Sequence, residues 1–101
     1  MFQLVLQFSQ WNDRAFDDLI RLEESLAEAV GEKAIDGHDL GSGEANIFIL
    51  TESLDADFEA CLPRIVDAGL LSNFSAGYRA MDAEEYKRIW PRDDSSPFWI
   101  K

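Results

Sequence analysis

Apolar and polar positions alternate with two different periods along the first third of the chain. Over residues 2–8 apolar side chains fall on every second position, which is typical of a strand with one buried face. Over residues 15–30 they recur every three or four positions, which predicts a helix with acidic side chains on its other side. Asn12 or Asp13 is expected to cap this helix, and Gly31 to end it.

The middle of the chain predicts two strands joined by a glycine-rich turn. The strands are expected at about residues 34–39 and 45–51, because residues 40–44 between them contain two glycines that suit a tight turn. The second of these strands is nearly all apolar and β-prone, so it should lie in the centre of the sheet.

A second helix is expected next, from Ser53 or Asp55 to Gly69. Pro63 should either bend this helix or make it begin later, because proline removes a helical hydrogen bond. Residues 72–81 alternate again and predict a fourth strand.

The last part of the chain predicts one more short helix and a tail. Asp82 and Glu85 form a capping box, which favours a helix as far as Trp90. Residues 1–91 are therefore expected to form one domain, with residues 92–101 as a C-terminal tail. The element order predicts an α+β fold, a ferredoxin-like βαββαβ sandwich with a four-stranded antiparallel sheet, two helices on one face and an open opposite face.

The composition is that of a globular domain with a large excess of acidic side chains. Of 101 residues, 47% are hydrophobic, 20 are Asp or Glu and nine are Lys or Arg, so the formal net charge is −11. Affinity for nucleic acids and anionic membranes begins with Lys and Arg contacts, so this charge argues against both kinds of partner. The acidic surface either confers solubility or attracts a basic partner.

The chain shows no sign of export. No apolar run approaches the ~18 residues of a membrane span. Residues 1–8 lack the basic start of a signal peptide. Cys61 is the only cysteine, which excludes an intramolecular disulfide, and a cytoplasmic location is expected.

The densest group of polar side chains surrounds the predicted glycine turn: Asp36, His38, Asp39, Ser42 and Glu44. On a regular strand, Asp36 and His38 share one face and Asp39 takes the other. Carboxylates beside an imidazole can hold a metal or a polar ligand, but a second His or Cys for zinc is lacking and no EF-hand spacing is present. The alternative is that Asp39, Ser42 and Glu44 only satisfy the backbone of the turn.

The open face of the predicted sheet offers a second candidate site. Its expected side chains come from all four strands: Gln3, Gln7, Arg79, Asn46 or Phe48, and Asp36 or His38. Trp99, together with Phe98, either covers this face or belongs to an interface with a partner.

Motifs of catalysis are missing from the sequence. It contains no Gly-x-Ser-x-Gly elbow, no Walker loop and no dinucleotide fingerprint. Cys61 falls on the apolar stripe of a helix, where cysteine behaves as a small hydrophobic residue. We therefore assign no catalytic residue, cofactor or metal, and favour a role other than catalysis.

Three segments resemble those of small bacterial proteins without an assigned function: residues 36–49 (DGHDLGSGEANIFI), 77–79 (GYR) and 86–91 (YKRIWP). This resemblance implies a short bacterial domain and brings no catalytic residues with it. In size and acidity the chain is also similar to bacterial immunity proteins, which neutralise basic nuclease toxins by charge complementarity.

Two functional hypotheses follow. The first is a binding module that uses the open face and the acidic helices to contact a protein partner or a second copy of itself. In its concrete form the partner is a basic protein, which this chain inhibits as an immunity protein inhibits a toxin. The second is a small-molecule or metal-binding domain or enzyme centred on the hairpin and the open face: Asp36, His38, Asp39, Glu44 and Arg79.

Overall fold

A computed structural model describes residues 1–11, 16–94 and 96–100 of the chain. Its helices and strands are, in chain order, β1 (Phe2–Phe8), α1 (Phe16–Val30), β2 (Ile35–Gly41), β3 (Glu44–Thr51), α2 (Leu54–Asp67), β4 (Phe74–Ala80) and β5 (Lys87–Trp90). The strands form one antiparallel sheet in the order β2-β3-β1-β4-β5. The predicted α+β class, with two helices and an antiparallel sheet, is confirmed.

The hydrophobic core lies between the helices and one face of the sheet. Its fully buried side chains alternate along the strands and recur at helical spacing on α1 and α2: Leu4, Leu6, Phe8, Leu19, Leu26, Ile47, Ile49, Cys61 and Ile65. We call the opposite face, which carries Gln3, Val5 and Gln7 of β1, the outer face of the sheet. The predicted caps of α1, Asn12 and Asp13, lie outside the described residues.

The hairpin between β2 and β3 is tighter than the sequence predicted. Ser42 and Gly43 form a two-residue turn with φ of 53° and 76°, and Gly41 pairs directly with Glu44. A turn with two successive residues of positive φ matches the twist of the flanking strands. Glycine is favoured in such a turn because it adopts positive φ without strain. β3 lies between β2 and β1, so it is an interior strand as predicted, but the central strand of the five is β1.

The region after β4 corrects the predicted short helix. Residues 83–86 are irregular, and Lys87–Trp90 form a fifth strand paired with β4. A helix of about two turns is marginal in water, so tertiary contacts decide the outcome. As a strand, the segment bonds to β4 and brings the ring of Trp90 to within 6.0 and 6.2 Å of the Phe58 and Phe74 rings. Among the described residues the sheet has five strands rather than four, and no helix follows α2 except a single 3-10 turn before β4.

The C-terminal segment, which we define as residues 96–100, lies against the outer face. Phe98 is only 4% exposed and sits over Gly77 of β4. A Cβ atom on Gly77 would lie 2.8 Å from Phe98 Cε1 and closer still to two other ring atoms, so glycine makes this approach possible. Val5, which pairs with Gly77, is fully buried. The outer face is therefore partly covered rather than open.

Arg88 of β5 anchors the C-terminal segment. Its guanidinium donates hydrogen bonds to the carbonyls of Ser96 and Pro97, at 3.0 and 3.1 Å, and lies 5.5 Å from the centre of the Phe98 ring. The hydroxyl and the backbone N–H of Ser96 donate to Asp94, and these bonds lower the pKa of the Asp94 carboxyl.

None of the helices in the described part of the chain is both long enough and apolar enough to span a membrane.

Candidate functional site

The charged residues of the β2–β3 hairpin lie on different sides of the sheet. His38 faces the helices, where its Nδ1 lies 2.7 Å from Glu23 Oε1 of α1 and its ring meets the Phe16 ring at 5.5 Å. Asp39 is exposed and pairs with Asn46, whose side chain lies on the outer face. Of the two residues of β2 that were expected beside the outer-face glutamines, Asp36 or His38, the alternative His38 is therefore wrong.

A bulge in β2 is the physical reason for this difference. Asp36 is the extra residue between Ile35 and Gly37, so the two-residue alternation that would place it with His38 is broken. Gly37 has φ of 119°, a value that residues with a side chain rarely adopt. A sequence pattern with a strict period of two cannot locate such a bulge.

Ser42 and Glu44 belong to the turn rather than to a shared binding centre. Ser42 is exposed, and Glu44 is half-buried, with its Oε1 atom enclosed and without a hydrogen-bond partner among the described residues. Within residues 1–11, 16–94 and 96–100, no three His, Cys, Asp or Glu side chains are grouped so that they could hold a metal ion. The hairpin thus presents its carboxylates and its imidazole as separate groups.

One end of the outer face carries a closed polar network around Gln3. Gln3 Oε1 accepts hydrogen bonds from Arg79 Nε at 3.0 Å and from the Tyr86 hydroxyl at 2.6 Å. Arg79 Nη1 donates to backbone carbonyls, at 3.0 Å to that of Ala83 and 3.3 Å to that of Met81. The predicted neighbourhood of Gln3 and Arg79 is confirmed, but this arginine holds the loop after β4.

The other end of the outer face is a buried amide pair. Gln7 and Asn46 are 8% and 2% exposed, and Gln7 Nε2 donates to Asn46 Oδ1 at 3.1 Å and to the Trp99 carbonyl at 3.2 Å. Ser75 Oγ lies 3.5 Å from Gln7 Oε1. Trp99 contributes its backbone here, while 60% of the residue is exposed. The polar side chains of the outer face are therefore largely occupied by one another.

The sequence prediction missed three of the residues that close this face: Ser75, Tyr86 and Arg88. The predicted short helix contains Tyr86 and Arg88, and a helix there gives them no partners on the sheet. Phe98 is one of the two residues expected either to cover this face or to join an interface, and its ring covers Gly77. Gly77 also marks the place of this contact, because a glycine inside a strand often allows the close approach of another group.

The charge is distributed unevenly over the fold. Residues 16–44, which include α1 and β2, carry nine acidic and two basic side chains, a net charge of −7. Residues 79–94, which include β5, carry five acidic and four basic side chains, a net charge of −1. Residues 45–78, which include α2, carry five acidic side chains and one basic side chain, a net charge of −4. The negative potential is therefore stronger on the side of α1, α2 and β2 than on the side of β5.

A groove of about 290 Å³ lies on this acidic side, between α1 and β2. Apolar and acidic side chains line it: Ile20, Ala27 and Ile35, with Glu23, Glu24 and Glu32. We call this feature the acidic groove. Phe16, which is 53% exposed, adds apolar surface beside His38.

A separate cleft of about 380 Å³ opens between α1 and α2. Arg21 and Arg64 line it together with Asp18 and Asp67, so its charges balance. Arg64 is engaged with α1, with Nη1 3.3 Å from Ser25 Oγ. This cleft therefore shows no charge preference comparable to that of the acidic groove.

Comparisons of the chain with protein-family models, with curated proteins and with solved structures found no match. The fold and the charge distribution define the class of protein: a small α+β domain with one strongly acidic side and an outer sheet face partly covered by its own C-terminal segment.

Proposed function

We propose that the protein is a cytoplasmic binding module for a basic protein partner. The observation that carries this proposal is the polarised charge, with a net −7 over residues 16–44 against −1 over residues 79–94. A field of this kind steers a basic partner toward one side, speeds association and rejects acidic proteins. An inhibitor or immunity-like role is its concrete form, since blocking a basic functional surface requires an acidic one. A ferredoxin-like assignment of the fold is supported by the βαββαβ order of the first six helices and strands.

The contact surface is proposed on α1, its neighbouring helix α2 and β2. The outer face is a poorer choice, because Phe98 covers Gly77 and the amides of Gln7 and Asn46 are already paired. The exposed acidic side chains of α1, by contrast, project away from the core: Asp17, Glu24 and Glu28.

A second copy of the chain is a weaker partner than a foreign basic protein. Two α1–β2 surfaces of the same charge repel each other, and like charges held together in an interface are costly. A homodimer would therefore have to use another surface.

The proposal is tested by capture with matched charge variants. Immobilised protein is exposed to cytosol from its own source at about 20 mM salt, where surface charges are weakly screened, and eluted at about 300 mM. The E24K/E32K variant reverses two charges on the acidic side, and E84K/E85K reverses two on the opposite side; all four glutamates are exposed. A basic protein should be captured in stoichiometric amount by the wild type and by E84K/E85K, and lost by E24K/E32K.

Either of two results would count against the proposal. Equal capture by both variants would show that the acidic side does not make the contact. If the wild type captures no basic protein at low salt, the proposal of a basic partner is wrong.

A further inference from the structure

The outer edge of β2 is a strand edge without a neighbour in the described structure. β2 is the last strand of the sheet on its side, and among the described strands only β3 pairs with it. Its residues from His38 to Gly41 are all exposed. An edge of this kind presents unpaired backbone N–H and C=O groups, to which an extended segment of another protein can add as a further strand.

The negative charges around this edge determine that the added strand should be basic. Asp36 and Asp39 lie on β2 itself, and Glu24 and Glu32 border the groove beside it. Two β2 edges of separate copies would repel each other, whereas a segment that carries Lys or Arg would be attracted. Charge thus disfavours self-pairing and favours a basic strand.

The acidic groove supplies a place for alternate side chains of such a strand. Ile35 of β2 pairs with Ile49 and so lies on the helix-facing side of the sheet, and Ile20 and Ala27 of α1 line the groove beside it. Side chains of an added strand alternate between the two faces of the sheet. Every second side chain would therefore enter the groove, and those between would pass Asp39 on the outer face.

We propose that an extended basic segment of the partner adds to the outer edge of β2, with apolar side chains in the acidic groove and Lys or Arg side chains on the outer face. This inference rests on the proposed function and names its recognition mode. The backbone hydrogen bonds provide affinity, and the charges and the groove provide selectivity.

The test uses a capped peptide in which Lys and Val alternate over about nine residues, long enough to cover β2. Two further peptides of the same sequence carry N-methyl groups, one on the Lys amides and one on the Val amides. In an added strand the amides of one set bond to β2 and those of the other set face solvent. One methylated peptide should therefore lose affinity by at least about tenfold, and the other should bind within about threefold of the parent.

Amide chemical shifts locate the contact. With the parent peptide at about 20 mM salt, the largest changes should fall on residues 36–41 of β2 rather than on residues 87–90 of β5. The D36N/D39N variant, which neutralises the two carboxylates of β2 itself, should bind more weakly than the wild type, while the control E84Q/E85Q, which removes the same number of charges from exposed positions, should not.

The outcomes separate this inference from the proposed function. Equal binding by both methylated peptides, or shifts on another element, would overturn strand addition while charge-driven recognition stood. Binding of no peptide, while the captured basic protein still bound, would also overturn strand addition alone. Failure of both the peptides and the capture experiment would overturn the proposed function as well.

Discussion

At the scale of single residues, Gly77 determines how closely the C-terminal segment approaches the sheet. The Phe98 ring occupies the space that a side chain at Gly77 would need. No simple shift of a flexible group relieves the overlap, because Phe98 is buried and its segment is held by Arg88.

We expect Gly77→Ala to destabilise the protein by about 1–3 kcal/mol, the usual cost of overpacking. Urea unfolding measures this loss. Gly41→Ala is the matched control, since a Cβ atom at Gly41 meets nothing within 4 Å, and this variant should be neutral or slightly stabilising. Combined with Phe98→Ala, Gly77→Ala should cost much less than it does alone; full additivity would contradict the contact.

Cys61 is a residue whose role was predicted correctly from its place on an apolar stripe. It is fully buried in the core, and burial, assisted by the nearby Asp57 charge, raises the pKa of its thiol from 9.0 to about 12. The thiol has its higher pKa in the folded state, so above pH 9 it ionises in the unfolded chain before it ionises in the folded protein. The stability that the neutral thiol contributes is therefore complete below pH 9 and is lost as the pH rises toward 12.

The variant Cys61→Ala isolates this effect. At neutral pH it should be less stable than the wild type, by about 1–2 kcal/mol for the lost packing. As the pH rises above 9, the wild type should lose stability faster than the variant, so the gap between their unfolding free energies should narrow. A gap that stays constant up to pH 11 or so would contradict the raised pKa.

Residue neighbours were predictable where strands are regular and not where they are irregular. The pairing of Gln3 with Arg79 follows from two strands with a simple period. The position of His38 depends on the bulge at Asp36, and a bulge leaves no mark in the hydrophobic pattern of so short a strand.

At the scale of secondary-structure elements, the first six helices and strands were predictable because local propensity and tertiary packing agree in most of them. The exception is Pro63, which lies inside α2 although that helix already begins at Leu54, so the alternative of a later start is wrong. In the last element they disagree. Asp82 and Glu85 offer a capping box, but the rings of Phe58 and Phe74 offer Trp90 a larger apolar contact when Lys87–Trp90 is a strand. The tertiary contact prevails because a short helix is weak by itself.

The C-terminal segment is expected to act as a cover for the outer face. Removal of residues 96–101 should expose Val5 and the Gln7–Asn46 pair, because the Phe98 ring and the Trp99 carbonyl would be lost. The shortened protein should bind more of a dye such as ANS and self-associate in size-exclusion chromatography.

Trp99→Ala provides the control for that truncation. The Trp99 residue is 60% exposed and only its carbonyl bonds to Gln7, so this variant should keep the cover in place. Dye binding that is unchanged by the truncation would show that the segment does not shield the outer face.

At the scale of the whole molecule, the net charge of −11 lowers the stability of the folded state through repulsion, more on the side of α1, α2 and β2 than on the side of β5. The melting temperature should therefore rise between low salt and about 150 mM salt, as the Debye length shortens to about 8 Å. This rise is expected even for the isolated protein without a partner.

Matched neutralisations locate the repulsion. At low salt E24Q/E32Q should be more stable than E84Q/E85Q by about 0.5 kcal/mol, because only the first pair lies in the region of net charge −7. The difference should vanish at about 500 mM salt. Equal melting temperatures at low salt would show that the repulsion is spread evenly.

The central place of β1 has a consequence for how the protein is made. Both partner strands of β1 follow it in the chain, with β3 at residues 44–51 and β4 at residues 74–80. During synthesis β1 therefore passes from no neighbour to one and then to two, and Phe98, whose ring covers Gly77, follows β4. The apolar side chains of β1 are thus exposed to other nascent chains and to chaperones until β4 has emerged.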